Sequence, residues 1–295
     1  MTVAKNADVA NVQEALVAEV VQRELQAQAK LSGLFKDYSE LVGKGTSSLK
    51  IPRSDSFSVQ DRDNATPTAA SAQNLTFSFD QIDLDQSKYV YYVIPGDVEL
   101  DAKPSYELTA AQRAASAHGR NMDIVRLNEL WGGADSAQDV DFVSGTSDVE
   151  DTILQMIQKA DEANMLDDGE RYLIVRPQER KQLLGVANFV QADRYGINPS
   201  RPLVSGELGS VYGVRIIVTN LAGSVAAGTG GAFGDGNMIL CHRESLAFAF
   251  HRQPTHDMDK AIEYGAGSMA HTWDIKYGLK ACQDGDLIVR AWDLP

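Results

Sequence analysis

Three basic side chains that lie close together are the residues best placed to do chemistry. The segment RYLIVRPQERKQLLG (171–185) predicts a short buried strand, Tyr172–Val175, that leads into a helix begun by Pro177, a residue favoured at the first helical position. Arg176, Arg180 and Lys181 lie around this junction, where cationic groups could bind a substrate anion. No Ser, Cys, His or Asp nearby completes a nucleophile and its base. With Glu179, the three could equally form an exposed helix face of mixed charge, and we favour that interpretation.

Histidines in the last quarter of the chain could suggest a metal site. Residues nine apart on a strand, such as His242 and His251, point to opposite faces, and no helical His-x-x-x-His spacing occurs. We therefore expect ordinary strand or surface histidines and no metal. The group considered is His242, His251 and His256 with Cys241 and Asp257.

The glycine-rich segment GTGGAFGDG (228–236) could suggest a phosphate-binding loop. A dinucleotide-binding loop needs its glycines directly after a strand and at the start of a helix. Here they lead into NMILCHR, which predicts a strand, so we expect a surface loop. GAGSMA (265–270) lacks the last glycine of a nucleophile elbow and predicts a turn. From the sequence we therefore expect no catalytic residues and no cofactor, and we predict that the protein is not an enzyme.

The overall composition limits the class of protein. The 295 residues include 27 basic and 41 acidic ones, for a formal charge of −14, which argues against a dedicated nucleic-acid binder. No apolar run approaches the roughly 18 residues of a membrane span, and the first residues lack the apolar core of a signal peptide. The two cysteines, Cys241 and Cys282, form no disulfide or zinc pattern. Synthesis in a cytoplasm, away from membranes, is the simplest expectation.

Helical spacing of apolar residues predicts three helices before the basic segment. A long amphipathic helix is expected over residues 9–42 and a second over 104–131. Ser147 and Glu150 form a capping-box pattern for a third helix. Its expected inward-facing residues are Ile153, Leu154, Ile157 and Ala160.

Residues 45–95 alternate between apolar and polar side chains, as strands do. LKIPRSDSFSV (49–59) and NLTFSFDQIDLD (74–85) predict the two strands of a long β-arm, and a polar, small-residue stretch lies between them. KYVYYVIPG (88–96) predicts a third strand that returns to the body. Because an isolated hairpin is only marginally stable in water, the arm should lie on another surface.

The remainder of the chain predicts mostly strands. GVRIIVTNL (213–221) reads as a buried strand, and three alternating strands follow it. Those three are SLAFAFHRQ (245–253), AHTWDIKYGLKACQ (270–283) and DLIVRAW (286–292).

This order of elements resembles the major capsid proteins of tailed bacteriophages, which have the Hong Kong 97 coat-protein fold. RYLIVRPQERKQLLG is similar to the strand and Pro-led helix that begin the family's axial domain, and LGSVYGVRIIVTNL (208–221) resembles a later segment of that domain. GAFGDGNMILCHRESLAFAF (231–250) is similar to the return into the peripheral sheet, and AHTWDIKYGLKACQDGDLIVRAW (270–292) to the last β-pair. The similarity covers nearly the whole chain.

The resemblance implies an α+β fold of the Hong Kong 97 type, divided into five regions. They are an N-terminal helical arm (1–44), an extended β-hairpin E-loop (45–95), a peripheral domain with a long spine helix (96–168), an axial domain (169–240) and return strands of the peripheral domain (241–295).

The resemblance also implies the partners. We expect self-assembly into pentamers and hexamers of an icosahedral virion shell that encloses double-stranded DNA without sequence-specific binding. We further expect a portal, a separate scaffolding protein since no long segment precedes the arm, and room for a cement protein. Lys50 and Asn74 are not expected to crosslink. The residues expected at subunit interfaces are Phe57, Phe77, Phe79, Arg53, Arg62, Arg176, Arg180 and Lys181.

Three other readings stay open at this point. An encapsulin-type nanocompartment shell would have the same fold but would enclose cargo enzymes. A small-molecule enzyme using the helix at Arg176–Lys181 would be a monomer or small oligomer. A tail-tube or fibre subunit would form rods.

Overall fold

A computed structural model describes the chain over residues 30–54, 57, 59, 73–96, 106–143, 145–185, 210–221, 233 and 237–293. Predictions for residues 9–29, for Arg62 and, apart from Phe233, for the glycine-rich loop lie outside these residues. Within the described part, no helix has the length and apolarity needed to cross a membrane.

The described residues form three helices and twelve strands, the latter in two large sheets and one hairpin. The helices are α1 (Tyr106–Gly133), α2 (Val149–Glu162) and α3 (Pro177–Gly185). The first six strands are β1 (Lys36–Asp37), β2 (Ser48–Ser54), β3 (Phe77–Asp83), β4 (Gln86–Ile94), β5 (Val140–Asp141) and β6 (Arg171–Val175). The last six are β7 (Ser210–Val211), β8 (Val214–Val218), β9 (Met238–His242), β10 (Leu246–Lys260), β11 (Met269–Ala281) and β12 (Ile288–Trp292).

The six-stranded sheet has the order β5-β12-β9-β6-β8-β7 and lies between two layers of helices. Alternate side chains of its central strand β6 enter different cores. Leu173 and Val175 pack with α2 and α3, whereas Tyr172 and Ile174 pack with α1. Because both faces are covered, all five residues of β6 are buried, as predicted for most of this segment.

The four-stranded sheet has the order β1-β10-β11-β4 and is built around the long antiparallel pair β10–β11. Its inner face carries Phe248, Ile275 and Tyr277, which pack against Met122 and Val125 of α1. The late strands predicted from alternation are therefore confirmed. Helix α1, predicted over 104–131, is also confirmed and runs on to Gly133.

Helix α2 differs from the prediction at two positions. The N-cap is Asp148, whose carboxylate accepts the backbone N–H of Glu150, while the Ser147 hydroxyl accepts the N–H of Val143. The capping box at Ser147 is therefore wrong, because that hydroxyl closes the preceding turn. Leu154 is exposed, and Met156 occupies the core in its place.

Residues 30–42 form no α-helix, which corrects the C-terminal part of the predicted helix 9–42. They form a turn, the short strand β1 beside β10 in parallel, and one turn of 3-10 helix. Leu31 and Phe35 enter the core of the six-stranded sheet, whereas Tyr38 and Val42 pack at the base of the β-arm. We call these residues the strap, because they contact both large sheets.

The strap is tied to its surroundings by polar contacts. Lys30 Nζ donates to the carbonyl of Val218 at the end of β8 (2.7 Å), and the N–H of Leu31 donates to Asp123 of α1 (3.2 Å). Burial raises the pKa of the Asp123 carboxyl, although Leu31 and Arg126 act in the other direction. The N–H of Tyr38 donates to the carbonyl of Phe248 (2.8 Å). The strap thus joins α1 and both large sheets.

A glycine sets how closely the arm approaches the body. A Cβ built on Gly278 of β11 would overlap the backbone carbonyl of Asp83, the last residue of β3. Only a residue without a side chain allows this crossing. The arm therefore leaves the body directly over β11.

The sheets do not follow the predicted domain boundaries. The six-stranded sheet contains β6 and β8 from the predicted axial range, but also β5 from the range 96–168 and β12 from the range 241–295. Strand β4, from the predicted E-loop range, pairs with β11 in the four-stranded sheet. The division into functional domains stays a prediction.

Candidate interaction surfaces

The β-arm consists of β2 and β3, paired antiparallel from Ser48↔Asp83 to Ser54↔Phe77. Its two faces differ because side chains alternate along each strand. The inner face holds Leu49 and Ile51 of β2 beside Ile82 of β3, which is fully buried. This face anchors the base of the arm on Ala247 and Ala249 of β10.

The outer face of the arm carries an exposed apolar row. Leu75, Phe77 and Phe79 stand at alternate positions, and the two aromatic residues are each 58% exposed. Pro52, the partner of Phe79, is exposed on the same face. Beyond the described end of β2, Phe57 is also exposed. Clustered exposed apolar side chains of this kind are typical of surfaces that bind another protein.

Arg53, a predicted interface residue, lies on the other face of the arm. Its Nε donates to Ser78 Oγ (3.3 Å), and its Nη1 lies 3.8 Å from Asp80 Oδ1. Asp80 in turn accepts the backbone N–H of Gln283 (3.2 Å). The structure therefore places Arg53 in a polar network at the base of the arm, opposite Phe77 and Phe79.

The predicted basic group is dispersed around the start of α3. Arg176 Nη1 donates to the carbonyl of Asn220 (3.3 Å), Arg180 is half-buried, and Lys181 is exposed. Glu179 is fully buried. The sequence predicts that these residues form an exposed helix face of mixed charge. That prediction is wrong for Glu179, which is buried, and is confirmed for Lys181, which is exposed. On the two sides of this junction, Leu173 of β6 and Leu183 of α3 pack in the same hydrophobic core.

Sequence reasoning missed a group with metal-ligand chemistry. Asp168, Glu170 and His242 place one possible ligand atom each within 4.8 Å of one another, the one such group among the described residues. His242 is buried at the end of β9, and the two acids lie in the turn before β6. The signal could not be found by local spacing, because Asp168 and His242 are 74 residues apart.

The hydrogen bonds of this group argue against a metal. His242 Nδ1 accepts the backbone N–H of Glu244 (3.2 Å), and Nε2 lies 3.1 Å from Asp168 Oδ1. A neutral ring that accepts at Nδ1 carries its proton at Nε2 and has no lone pair there for a metal. The pKa of the Asp168 carboxyl lies below its usual value, mainly because the backbone N–H of Glu170 donates to it and secondly because of its hydrogen bond with His242. Glu170 is occupied by Arg243 (2.7 Å). We interpret the group as a polar cap that ties the turn to β9.

The cysteine thiols are not placed for nucleophilic chemistry. Burial raises the pKa of Cys241 to about 12 and that of Cys282 to about 11. Since the thiolate is the reactive form, both side chains stay protonated near neutral pH. They act as small apolar residues of the cores.

A buried ion pair holds α1 to the six-stranded sheet. Arg290 of β12 donates through Nε and Nη2 to the two carboxylate oxygens of Asp139, at 2.7 Å each. Its Nη1 donates to the carbonyl of Trp131 (2.8 Å), and Trp292 Nε1 donates to Asp139 (3.1 Å). Each nitrogen of the Arg290 guanidinium and each carboxylate oxygen of Asp139 thus has a hydrogen bond that offsets the cost of its burial.

No model of a known protein family matches the sequence, and no curated protein matches it either. Solved structures do match. A structure from Mycobacterium phage Che8 has a TM-score of 0.71 at 17% identity, covering 88% of this chain and 89% of that chain. The capsid structure of cyanophage P-SCSP1u has a TM-score of 0.69 at 13% identity, covering 88% and 86%. The asymmetric unit of the bacteriophage PhiM1 mature capsid has a TM-score of 0.69 at 15% identity, covering 90% and 87%.

These similarities define the class of fold. The chain has the α+β fold of phage capsid structures over most of its length. The predicted resemblance is confirmed at the level of the fold. The finer assignments of an E-loop, a spine helix and an axial domain stay predictions.

Proposed function

We propose that this chain is the major capsid protein of a tailed bacteriophage. In this proposal, copies with the Hong Kong 97 coat-protein fold assemble into pentamers and hexamers of an icosahedral shell around double-stranded DNA. The observation that supports it most is the match to capsid structures over nearly nine-tenths of both chains. The role is structural, and no residue is assigned a catalytic function.

The arm is the part of the subunit that best fits a contact between copies. Its inner face packs on Ala247 and Ala249 of β10. On the outer face, Leu75, Phe77 and Phe79 are exposed to solvent. Covering one large apolar side chain completely contributes about 1.5–3 kcal/mol. Each subunit would lay this row on a neighbour, and many such repeated contacts would make a shell far more stable than one interface.

The remaining assignments follow from the same proposal. Helix α1 is the spine helix, residues 169–240 form the axial domain around the symmetry axes, and residues 1–44 are an arm that reaches a neighbour. A scaffolding protein and a portal are partners during assembly, with room for a cement protein. The formal charge of −14 suits a container from which DNA must move freely, because tight phosphate binding would oppose that movement.

The proposal is tested by expressing the full chain and imaging the purified product by electron microscopy. Closed isometric shells are expected, and nucleic acid should be found in shells from infected or packaging-competent cells. Sedimentation should give one species far larger than a hexamer. A monomer or small oligomer under all assembly conditions, or rods instead of shells, would overturn the proposal.

The content of the shells separates the proposal from its nearest alternative. An encapsulin-type compartment would contain a cargo protein and no packaged genome. Mass spectrometry of shells purified from the native source therefore distinguishes the two. A single abundant enzyme inside nucleic-acid-free shells would favour the compartment.

A further inference from the structure

Three of the five histidines of this chain meet on one face of the four-stranded sheet. His256 lies on β10, His271 on the adjacent strand β11, and His118 on α1, which packs over this face. His271 and His118 are buried, whereas His256 is half-buried. Histidine is the side chain that changes charge between about pH 5 and 8, so such a convergence is a candidate proton-sensitive site.

Two of these rings are bonded directly to each other. His256 Nε2 and His271 Nδ1 are 3.0 Å apart, and the ring planes differ by only 7°. His256 stacks on Trp273 with ring centroids 4.3 Å apart, and His271 lies parallel to Tyr92 at 5.0 Å. The pair therefore connects β10 and β11 through side chains, in addition to the backbone ladder.

The surroundings extend this connection to two more elements. Trp273 Nε1 donates to the hydroxyl of Tyr92 on β4 (3.3 Å), and His118 Nε2 lies 3.2 Å from the carbonyl of Trp273. Strands β4, β10 and β11 and helix α1 thus meet at one polar and aromatic cluster. The cluster lies on the same inner face as Phe248 and Tyr277, but beyond the register irregularity at residues 250–255. We call the part beyond it, residues 255–260 of β10 and 269–274 of β11, the distal half of the two strands.

The number of protons on the pair decides whether its bond can exist. An N–H···N bond needs one hydrogen between the two nitrogens, since one must donate and the other accept. A neutral pair and a singly protonated pair both satisfy this condition. In the doubly protonated pair both facing nitrogens carry hydrogen, so the bond is lost and two cations face each other at contact distance.

We propose that the His256–His271 pair is a proton-sensitive clasp that holds the distal halves of β10 and β11 together and opens when both rings are charged. The aromatic neighbours add to the effect, because Trp273 loses its stacked partner when the rings separate. The clasp belongs to the single chain, so it stands or fails independently of the proposed shell.

The charged side chains that β4 and β10 place on the same face are cationic. Strand alternation places Lys88 of β4 and Lys260 of β10 on this face, together with Tyr92. Helix α1 places His118 beside Trp273 on this face. Farther along α1, Arg126 lies over the Phe248 ring and is paired with Asp123. Neither lysine can neutralise a doubly protonated pair.

The nearby acids of these strands alternate to the opposite face. Asp257 and Asp274 lie there with Arg252, which is 3.7 Å and 3.6 Å from their carboxylates. Asp259 points to the same opposite face. Among the described residues of β4, β10 and β11, no carboxylate on the inner face is positioned to neutralise the doubly charged pair.

Hydrogen exchange of the full chain, measured by mass spectrometry at pH 7.5 and 5.0, tests the clasp. After correction for the intrinsic pH dependence of exchange, opening of residues 255–260 and 268–274 should increase about tenfold at pH 5.0. Residues 246–250 and 276–281 of the same two strands are the internal control and should not change. Equal changes in both halves, or no change in the distal half, would overturn the proposal.

Two substitutions identify the pair as the cause. His271→Gln retains a group that can hydrogen-bond to His256 but removes one titrating ring, so the acid-dependent opening should be reduced to that of the control segments. His251→Gln, on β10 with His256 but outside the pair, should behave like wild type. Should His271→Gln not fold, His256→Gln makes the same test from the half-exposed side. A variant of either paired histidine that keeps the wild-type pH response would show that the pair is not the sensor.

Trp273 gives an independent optical readout. A charged imidazole stacked on an indole quenches its fluorescence, whereas a ring that has moved away does not. The signal lost in Trp273→Phe isolates this residue from Trp131 and Trp292. On acidification we expect quenching first, as the pair takes up one proton, and recovery as the clasp opens. Quenching that only deepens down to pH 5.0, with no recovery, would contradict opening.

Discussion

Two strands of similar length, β3 in the arm and β6 in the six-stranded sheet, have opposite relations to the rest of the chain. All five residues of β6 are buried, whereas five of the seven residues of β3 are exposed. Strand β6 has hydrogen-bonded neighbours on both sides and helices on both faces. Strand β3 has β2 as its partner and, on its outer face, Phe77 and Phe79 in solvent.

The difference separates folding from association. The apolar surface of β6 is used up within one chain, so substitutions there should act on the stability of the subunit. The apolar row of the arm is left exposed by the described residues, so substitutions there should act on contacts between copies. Each prediction below tests one side of this division.

The largest effect is expected at the buried ion pair. Arg290→Met leaves the Asp139 carboxylate buried without its cation and should lower the free energy of unfolding by about 4 kcal/mol. The measurement is urea denaturation of the unassembled subunit. Arg252→Met is the matched control, because that arginine is exposed and its ion pairs are loose, so a loss of less than about 1 kcal/mol is expected. Similar losses in both variants would contradict the assignment.

A cavity in the six-stranded sheet should come next. Leu173→Ala removes a side chain that is 1% exposed and should cost about 3 kcal/mol. The same substitution in the arm, Leu75→Ala, should change subunit stability by less than about 0.5 kcal/mol, because Leu75 is 42% exposed. Thermal denaturation of both variants checks the contrast. If Leu75→Ala destabilised the isolated subunit as strongly, the arm would be part of its core.

Removal of the aromatic row should leave the subunit folded but impair assembly. Phe77→Ser combined with Phe79→Ser should alter unfolding free energy by less than about 0.5 kcal/mol, since both rings are exposed. Sedimentation should show loss of large assemblies. Gln81→Ser, on the same outer face, is the control and should assemble normally. Normal assembly of the double variant would remove the arm row from the proposed interface.

The smallest effect on the subunit is expected at the basic group. Lys181→Glu reverses an exposed charge on α3 and should change stability by less than about 0.5 kcal/mol while slowing assembly. Light scattering during assembly, at low and high salt, is the measurement, because a charge effect should weaken with salt. Unchanged assembly kinetics at low salt would withdraw Lys181 from the interface residues.

The sequence was most informative where the two faces of an element differ. The arm, α1 and the late strands were predicted because apolar residues recur with a period that matches their geometry. Residues 30–42 were predicted wrongly for the same reason. Leu31, Phe35, Tyr38 and Val42 are spaced four or three apart, but they enter two separate cores, and spacing alone does not tell one core from two.

Contacts between distant parts of the chain could not be predicted in this way. Arg290 and Asp139 are 151 residues apart, and the pairing of His256 with His271 depends on the register of β10 against β11. The placement of charged side chains shows the same limit. Arg53 and Glu179 take positions that are decided by neighbours from elsewhere in the sequence. The interface role of Phe77 and Phe79 stays a prediction.

The crossing at Gly278 has a consequence for how related sequences can diverge. Any larger residue at this position must displace Asp83, where β3 ends, and the whole hairpin would pivot with it. A small shift at the base is multiplied along the length of the arm, so the aromatic row would point in a new direction while its own residues stayed the same. Divergence at a single glycine could thus alter which surface the arm reaches without any change in the arm.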